Sequence, residues 1–158
     1  MKECTLCFLV NEHSLSLGIK KQKLGKGKLN GFGGNVETGE TRLEAAKREL
    51  YEEARVKAVE LEKVAEMHYT FPDENKNWNQ IVHVYLVKKW EGEPQETEEM
   101  TFGWFPLINI PYEKMWENDK QWIPEILKGK KLKGYVFHTE EKLSSIKIEY
   151  VDSFQDNI

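Results

Sequence analysis

The spacing of apolar positions changes several times along the chain, and each change marks a structural element. Cys4 to Val10 is apolar and β-prone, Asn11-Glu12-His13-Ser14 reads as a turn, and Leu15 to Lys20 resumes an apolar alternation. Together they predict a hairpin. From Thr41 the period becomes helical: Leu43, Ala46, Leu50 and Ala54 form a narrow apolar stripe, and Thr41 followed three residues later by Glu44 has the spacing of a capping box. A helix is therefore expected from Thr41 to about Ala54, with small alanines that let it sit close to a sheet. Val59 to Phe71 alternates in its second half, placing Ala65, Met67, Tyr69 and Phe71 on one face and His68 and Thr70 on the other. Ile81 to Val87 is a second long strand, paired with the first through a turn in the polar loop from Pro72 to Asn79. Glu91 to Glu99 is acidic and irregular, and Phe102 to Phe105 reads as a short strand stopped by Pro106. Tyr112 to Trp116 has helical character. Asn118 or Asp119 can cap a second helix to about Leu127, with Pro124 near its first turn and Gly129 ending it. Tyr135 to His138 and Ile146 to Val151 read as a closing hairpin around Thr139 to Ser145. This order of elements predicts an α+β fold or an α/β/α sandwich with a mixed sheet. No repeat, linker or low-complexity tract divides residues 1–158, which read as a single domain.

A hydrophobic share of 39% over 158 residues leaves room for a sizeable core. The N-terminus lacks a signal segment and no apolar run approaches a membrane span, so the expected place is the cytoplasm and no membrane partner is expected. A net charge of −4 argues against a nucleic-acid duplex as partner. A small anion remains compatible with that charge. Lys20, Lys21, Lys23, Lys26 and Lys28 either raise the potential where a phosphate chain enters or form a solvated loop. Cys4 and Cys7 lie three apart on a strand, which points them to opposite faces, and no second cysteine or histidine pair completes a zinc site. His13, His68, His83 and His138 are scattered and read as surface or packing residues.

Chemistry concentrates between the two predicted β regions. Gly25, Gly27, Gly31, Gly33 and Gly34 imply backbone lying close to something, here read as a phosphate and its metal. On the helix that follows, Glu49, Glu52 and Glu53 crowd three carboxylates onto one patch. Such a patch is usually a solvated acidic face. It also suits a hard divalent cation, and Mg²⁺ takes a few carboxylates together with waters and substrate phosphates.

The whole stretch resembles the Nudix box through Gly34, Glu40, Arg48, Glu49, Leu50, Glu52, Glu53 and Val56. One position departs: Arg55 stands where the family has glycine, so a left-handed helix exit there costs roughly 1 kcal/mol without losing a ligand. The resemblance implies the α/β/α sandwich directly. It also implies hydrolysis of a nucleoside diphosphate linked to a further group, with water attacking phosphorus. In that reading Glu49, Glu52, Glu53 and the Gly33 carbonyl hold Mg²⁺, for which Mn²⁺ can substitute, one glutamate activates the water, and Arg48 orients Glu44 or Glu52.

Further likeness runs over nearly the whole chain, through Leu29-Asn30-Gly31-Phe32-Gly33-Gly34, Glu98-Glu99-Met100, Trp104-Phe105, Met115-Trp116 and Asp119. It points to the branch related to MutT that hydrolyses oxidised purine nucleoside triphosphates such as 8-oxo-dGTP and so sanitises the nucleotide pool against DNA damage. That likeness implies that Asn30 bonds the base, Trp116 stacks on it and Asp119 reads its polar edge. Thr5, Lys20, Phe32, Gly33, Tyr69, Met100 and Asn118 match further substrate positions, and Glu99 an acidic residue that approaches the metal from a loop. Leu24, Leu29, Tyr69 and Asn118 differ from the residues of that branch. For Trp116 the plainer alternative is core packing, and for Glu98 and Glu99 an exposed loop. Other readings are a hydrolase of an unmodified nucleoside triphosphate, a dinucleoside polyphosphate or ADP-ribose, and a nucleotide-binding module without catalysis. The expected working unit is a monomer.

Overall fold

A computed structural model describes residues 1–21, 27–140 and 144–154. Its strands are β1 (Lys2–Leu9), β2 (Ser14–Ile19), β3 (Leu29–Asn30), β4 (Lys57–Thr70), β5 (Gln80–Glu91), β6 (Gly103–Pro106), β7 (Lys131–His138) and β8 (Ser144–Val151), with helices α1 (Arg42–Ala54) and α2 (Asp119–Leu127). Five strands form a mixed sheet in the order β1-β5-β4-β7-β8, and β3-β2-β6 form a smaller one. β1 runs parallel to β5 and β4 parallel to β7, while the β4/β5 and β7/β8 pairs are antiparallel hairpins, as the alternation predicts.

Successive residues of a strand face opposite sides of the sheet, and β5 shows what each side holds. Tyr85 and Val87 join Ala46, Leu50 and Ala54 of α1 in one core. Val84 and Leu86 join Trp122, Ile123 and Ile126 of α2, and Leu15 and Leu17 of β2, in the other. One helix on each face makes the α/β/α sandwich.

The N-terminal hairpin is a correction. The turn forms, with Asn11 Oδ1 accepting from the His13 and Ser14 amides, but β1 and β2 enter different sheets. One edge of β1 is paired with β5 and the other is met by the glycine-rich segment, where Thr5 N donates to Gly34 O and Cys7 N to Phe32 O. β2 is left to pair with β3 and β6. A second difference is the length of β5, which continues past Val87 because Lys89, Trp90 and Glu91 pair with Glu60, Ala58 and Lys57. At α2, Asn118 holds the cap position but makes no capping bond with its side chain. Asp119 Oδ2 instead accepts from Trp116 N. His83 is a packing residue with a polar partner: it is buried and its Nε2 lies 2.9 Å from Glu3 Oε1. Both cysteines are free and buried.

At the C-terminus of α1, Arg55 adopts φ 59° and ψ 30°, the left-handed conformation that glycine takes without strain. Its guanidinium lies 5.4 Å from the Tyr51 ring centroid. The strain of about 1 kcal/mol exceeds the roughly 0.5 kcal/mol of an exposed cation–π contact. Arg55→Gly is therefore expected to raise the melting temperature of the metal-free protein by about 1–2 °C. A fall in a thermal scan would show that the Tyr51 contact outweighs the strain.

Candidate active site

α1 begins where its sequence says it should. Thr41 Oγ1 accepts from Glu44 N at 3.0 Å and Glu44 Oε1 from Thr41 N at 2.8 Å, so both halves of the capping box are present. Glu44 is thereby engaged at the cap, and Arg48 does not orient it. Arg48 bonds Glu40 through two nitrogens, at 2.7 and 3.0 Å, and reaches Glu49 at 2.8 Å, Glu52 at 3.4 Å and the Asn35 carbonyl at 3.0 Å. The Glu40 carboxylate is the chief cause pushing the Arg48 pKa above its ordinary value, and Arg48 in return holds Glu40 low. Glu40 matched the box in the sequence, but nothing there identified it as the two-point partner of Arg48.

The glycine-rich segment closes on α1 from above. A Cβ at Gly34 would lie 2.6 Å from Glu49 Oε1, and one at Gly33 would lie 1.8 Å from the Thr5 carbonyl oxygen. The close approaches these glycines permit are to a carboxylate of α1 and to β1. Gly33 N donates to Glu53 Oε1 at 2.8 Å, and the Gly33 carbonyl accepts from Lys20 Nζ at 3.4 Å. Glu53 is only 4% exposed, which corrects the expectation of a surface patch. Burial pushes its carboxyl up to about 8, against the lowering pull of Lys20 and the Gly33 amide. Burial raises Glu49 as well, against Arg48.

The loop between β5 and β6 brings in Glu99. Oxygens of Glu49, Glu52 and Glu99 lie within 4.8 Å of one another. Three hard donors converging at that spacing fit a small divalent cation. One oxygen of Glu53 is taken by Gly33 N, and its carboxylate also feels the charges of Glu49 and Glu99. Lys21 pairs with Glu96, and Lys28 Nζ lies 5.9 Å from the Trp116 ring centroid. Lys23, Lys26, Leu24 and Gly25 lie outside the described residues.

The residues expected around a base fall into two groups. Lys20 and Gly33 adjoin the carboxylates, and Thr5 lies behind Gly33 and Gly34 on β1. Tyr69, Trp116, Asn118 and Asp119 gather where β4 meets the start of α2: Asp119 acts electrostatically on Tyr69 and bonds Trp116 N at 3.2 Å. Trp116 is 42% exposed while its neighbour Met115 is buried, so the tryptophan is not a core residue. Asp119 is buried, and burial lifts its carboxyl to about 7, against the bond from the Trp116 amide. Asn118 Nδ2 donates to Ser144 Oγ at 2.9 Å, and Ser144 Oγ lies 3.2 Å from Glu117 Oε2. Asn30 Oδ1 accepts from Gly31 N. Phe32 and Met100 are fully buried, with Phe32 stacked on Phe102 at a centroid distance of 5.7 Å, so they back the loop from beneath.

A NUDIX domain model matches residues 3–126. An oxidized purine nucleoside triphosphate hydrolase of Danio rerio is 40% identical over 134 residues, covering 85% of each chain. One from Mus musculus is 36% identical over 151 residues, covering 95% of this chain and 96% of its own. The crystal structure of a MutT protein from Bacillus halodurans superposes with a TM-score of 0.77 at 20% identity, over 94% of this chain and 98% of that one, a likeness of fold.

Proposed function

The chain belongs to the NUDIX family and is a hydrolase of that family, and from that premise we propose that it converts oxidised purine nucleoside triphosphates, 8-oxo-dGTP among them, to the monophosphate and pyrophosphate. The observation that carries this reading is the convergence of Glu49, Glu52 and Glu99 within 4.8 Å, beside the Lys20 ammonium. Mg²⁺ is the metal we propose there, supplying neutralisation of phosphate charge and a lower pKa for bound water. Glu49, Glu52 and Glu99 would hold it, with the Gly33 carbonyl as a backbone donor once Lys20 turns to the phosphates. Arg48 aims Glu49 and Glu52 through its contacts at 2.8 and 3.4 Å. Glu53 neighbours these carboxylates, and its proton affinity near neutrality suits an acceptor for the proton of the attacking water. Water adds across a phosphoanhydride bond, the phosphorus gains an oxygen, and pyrophosphate departs.

At the other end, the half-exposed Trp116 offers a stacking face and Asp119 a carboxyl that can donate or accept near neutral pH. The names of the Danio rerio and Mus musculus relatives, both for oxidised purine nucleotides, support that choice of base. A monomer working in the cytoplasm on the free nucleotide pool, and so limiting DNA damage, completes the proposal. Trp116→Ala is expected to raise KM for 8-oxo-dGTP by about 5- to 150-fold, the equivalent of roughly 1–3 kcal/mol of stacking, with little change in melting temperature. An unchanged KM with a lowered melting temperature would return Trp116 to a structural role.

A further inference from the structure

The loop that delivers Glu99 is built onto the end of α1. A helix leaves its last carbonyls without intrahelical donors, and α1 finds two in the segment 95–97. Gln95 N donates to Ala54 O at 3.1 Å, and the Thr97 hydroxyl donates to Glu53 O at 3.0 Å. The same hydroxyl oxygen accepts from Glu99 N at 3.2 Å and from Met100 N at 3.3 Å, while Thr97 N donates to Met100 O at 2.9 Å. On the other side Lys21 N donates to Glu99 O at 2.9 Å. One side chain thus joins the backbone of a helix carboxylate to the backbone of the carboxylate that arrives from the loop.

We propose that Thr97 is a positioning residue for the divalent cation: its hydroxyl fixes Glu99 against the end of α1, at the spacing from Glu49 and Glu52 that lets all three share one ion. Glu99 is exposed and comes from a segment without regular structure. Unanchored, it would have to be ordered each time an ion binds, which weakens binding. The Thr97 hydroxyl supplies that order in advance, and it does so using a helix carbonyl that needs a donor anyway. Groups that orient metal ligands from behind are typically worth 10–100-fold in affinity. The proposal rests on the metal reading of Glu49, Glu52 and Glu99.

The test is Mn²⁺ binding to the nucleotide-free protein, followed by the electron paramagnetic resonance signal of free Mn²⁺, for wild type, Thr97→Val, Thr97→Ser, Glu99→Gln and the Thr97→Val/Glu99→Gln pair. Valine keeps the shape of threonine and removes the hydroxyl. Thr97→Val is expected to weaken Mn²⁺ by about tenfold, Thr97→Ser to stay within about twofold of wild type, and Glu99→Gln to weaken binding alone. Thr97→Val should then add nothing in the Glu99→Gln background. An equal loss in both backgrounds would overturn the proposal by showing that Thr97 acts through α1, and so would undiminished affinity in Thr97→Val. If the valine variant does not fold, loss of affinity in Thr97→Ser overturns the proposal by itself, and retained affinity supports it. Unchanged binding in Glu99→Gln alone would instead strike at the metal reading of Glu99, and Thr97 would fall with it.

Discussion

Glu53→Gln is expected to lower Mg²⁺-dependent release of pyrophosphate by a factor of at least 100, in the range typical for removal of a general base, while the fold persists. Glutamine keeps the carbonyl oxygen that accepts from Gly33 N, so the contact at 2.8 Å that ties the glycine-rich segment to α1 survives. It also removes a carboxyl whose ionisation is opposed by burial. The melting temperature of the metal-free variant should therefore equal or exceed that of wild type, which separates loss of chemistry from loss of structure. Glu49→Gln should fall by orders of magnitude as well, because it takes the negative charge from the Arg48 contact at 2.8 Å and from the converging set. Near-normal turnover in Glu53→Gln, measured as pyrophosphate released under saturating Mg²⁺, would remove Glu53 from the mechanism.

The second large effect concerns base choice. In the branch this chain resembles, two aspartates stand side by side, and each can donate or accept according to its protonation. Here one is Asn118, whose amide cannot titrate. The structure adds what holds it: Nδ2 gives one of its two hydrogens to Ser144 Oγ at 2.9 Å, which leaves one N–H donor and the Oδ1 acceptor, a pattern that no change of pH alters. Asp119 remains switchable. With burial lifting it to about 7, it is protonated and donates below that pH, and is ionised and accepts above it. A mismatch against a substrate edge leaves a buried polar group unpaired, at about 1–3 kcal/mol. The ratio of kcat/KM for 8-oxo-dGTP over 2-oxo-dATP should therefore be at least about tenfold higher in wild type than in Asn118→Asp, since about 1.4 kcal/mol is a factor of ten. In wild type that ratio should change with pH around 7, and in Asp119→Asn it should be flat. Equal ratios in wild type and Asn118→Asp would mean that Asn118 does not set base choice, and attention would pass to Tyr69 and Leu24.

Much of this arrangement is legible in the sequence because its causes are local. The capping box, the apolar stripe of α1 and the alternation through Ala65, Met67 and Tyr69 each depend on residues a few positions apart, so spacing alone places them. The two late hairpins follow for the same reason. What spacing cannot show is which chain covers which. Helical geometry puts Glu49, Glu52 and Glu53 on one patch, but only the descent of Gly33 onto Glu53 makes that residue a buried carboxyl and leaves Glu52 open. The separation of β1 from β2 depends on β5 and the glycine-rich segment reaching β1 first, a competition among distant strands. Thr97 sits in an acidic, irregular stretch with no periodicity. Its signal was a hydroxyl two residues before Glu99, and only the end of α1 gives that hydroxyl its meaning. Spacing likewise cannot show the partner of His83, since Glu3 is distant in the chain.

The assigned chemistry is tested most directly by Mg²⁺-dependent hydrolysis of 8-oxo-dGTP, compared in one assay with dGTP, ADP-ribose and a dinucleoside polyphosphate. The expected result is release of pyrophosphate and the monophosphate from 8-oxo-dGTP, with kcat/KM at least about tenfold above every other substrate, in keeping with one well-paired polar edge, and no turnover after chelation of the metal. Faster hydrolysis of any of the other three, or tight binding of 8-oxo-dGTP without its cleavage, would contradict it.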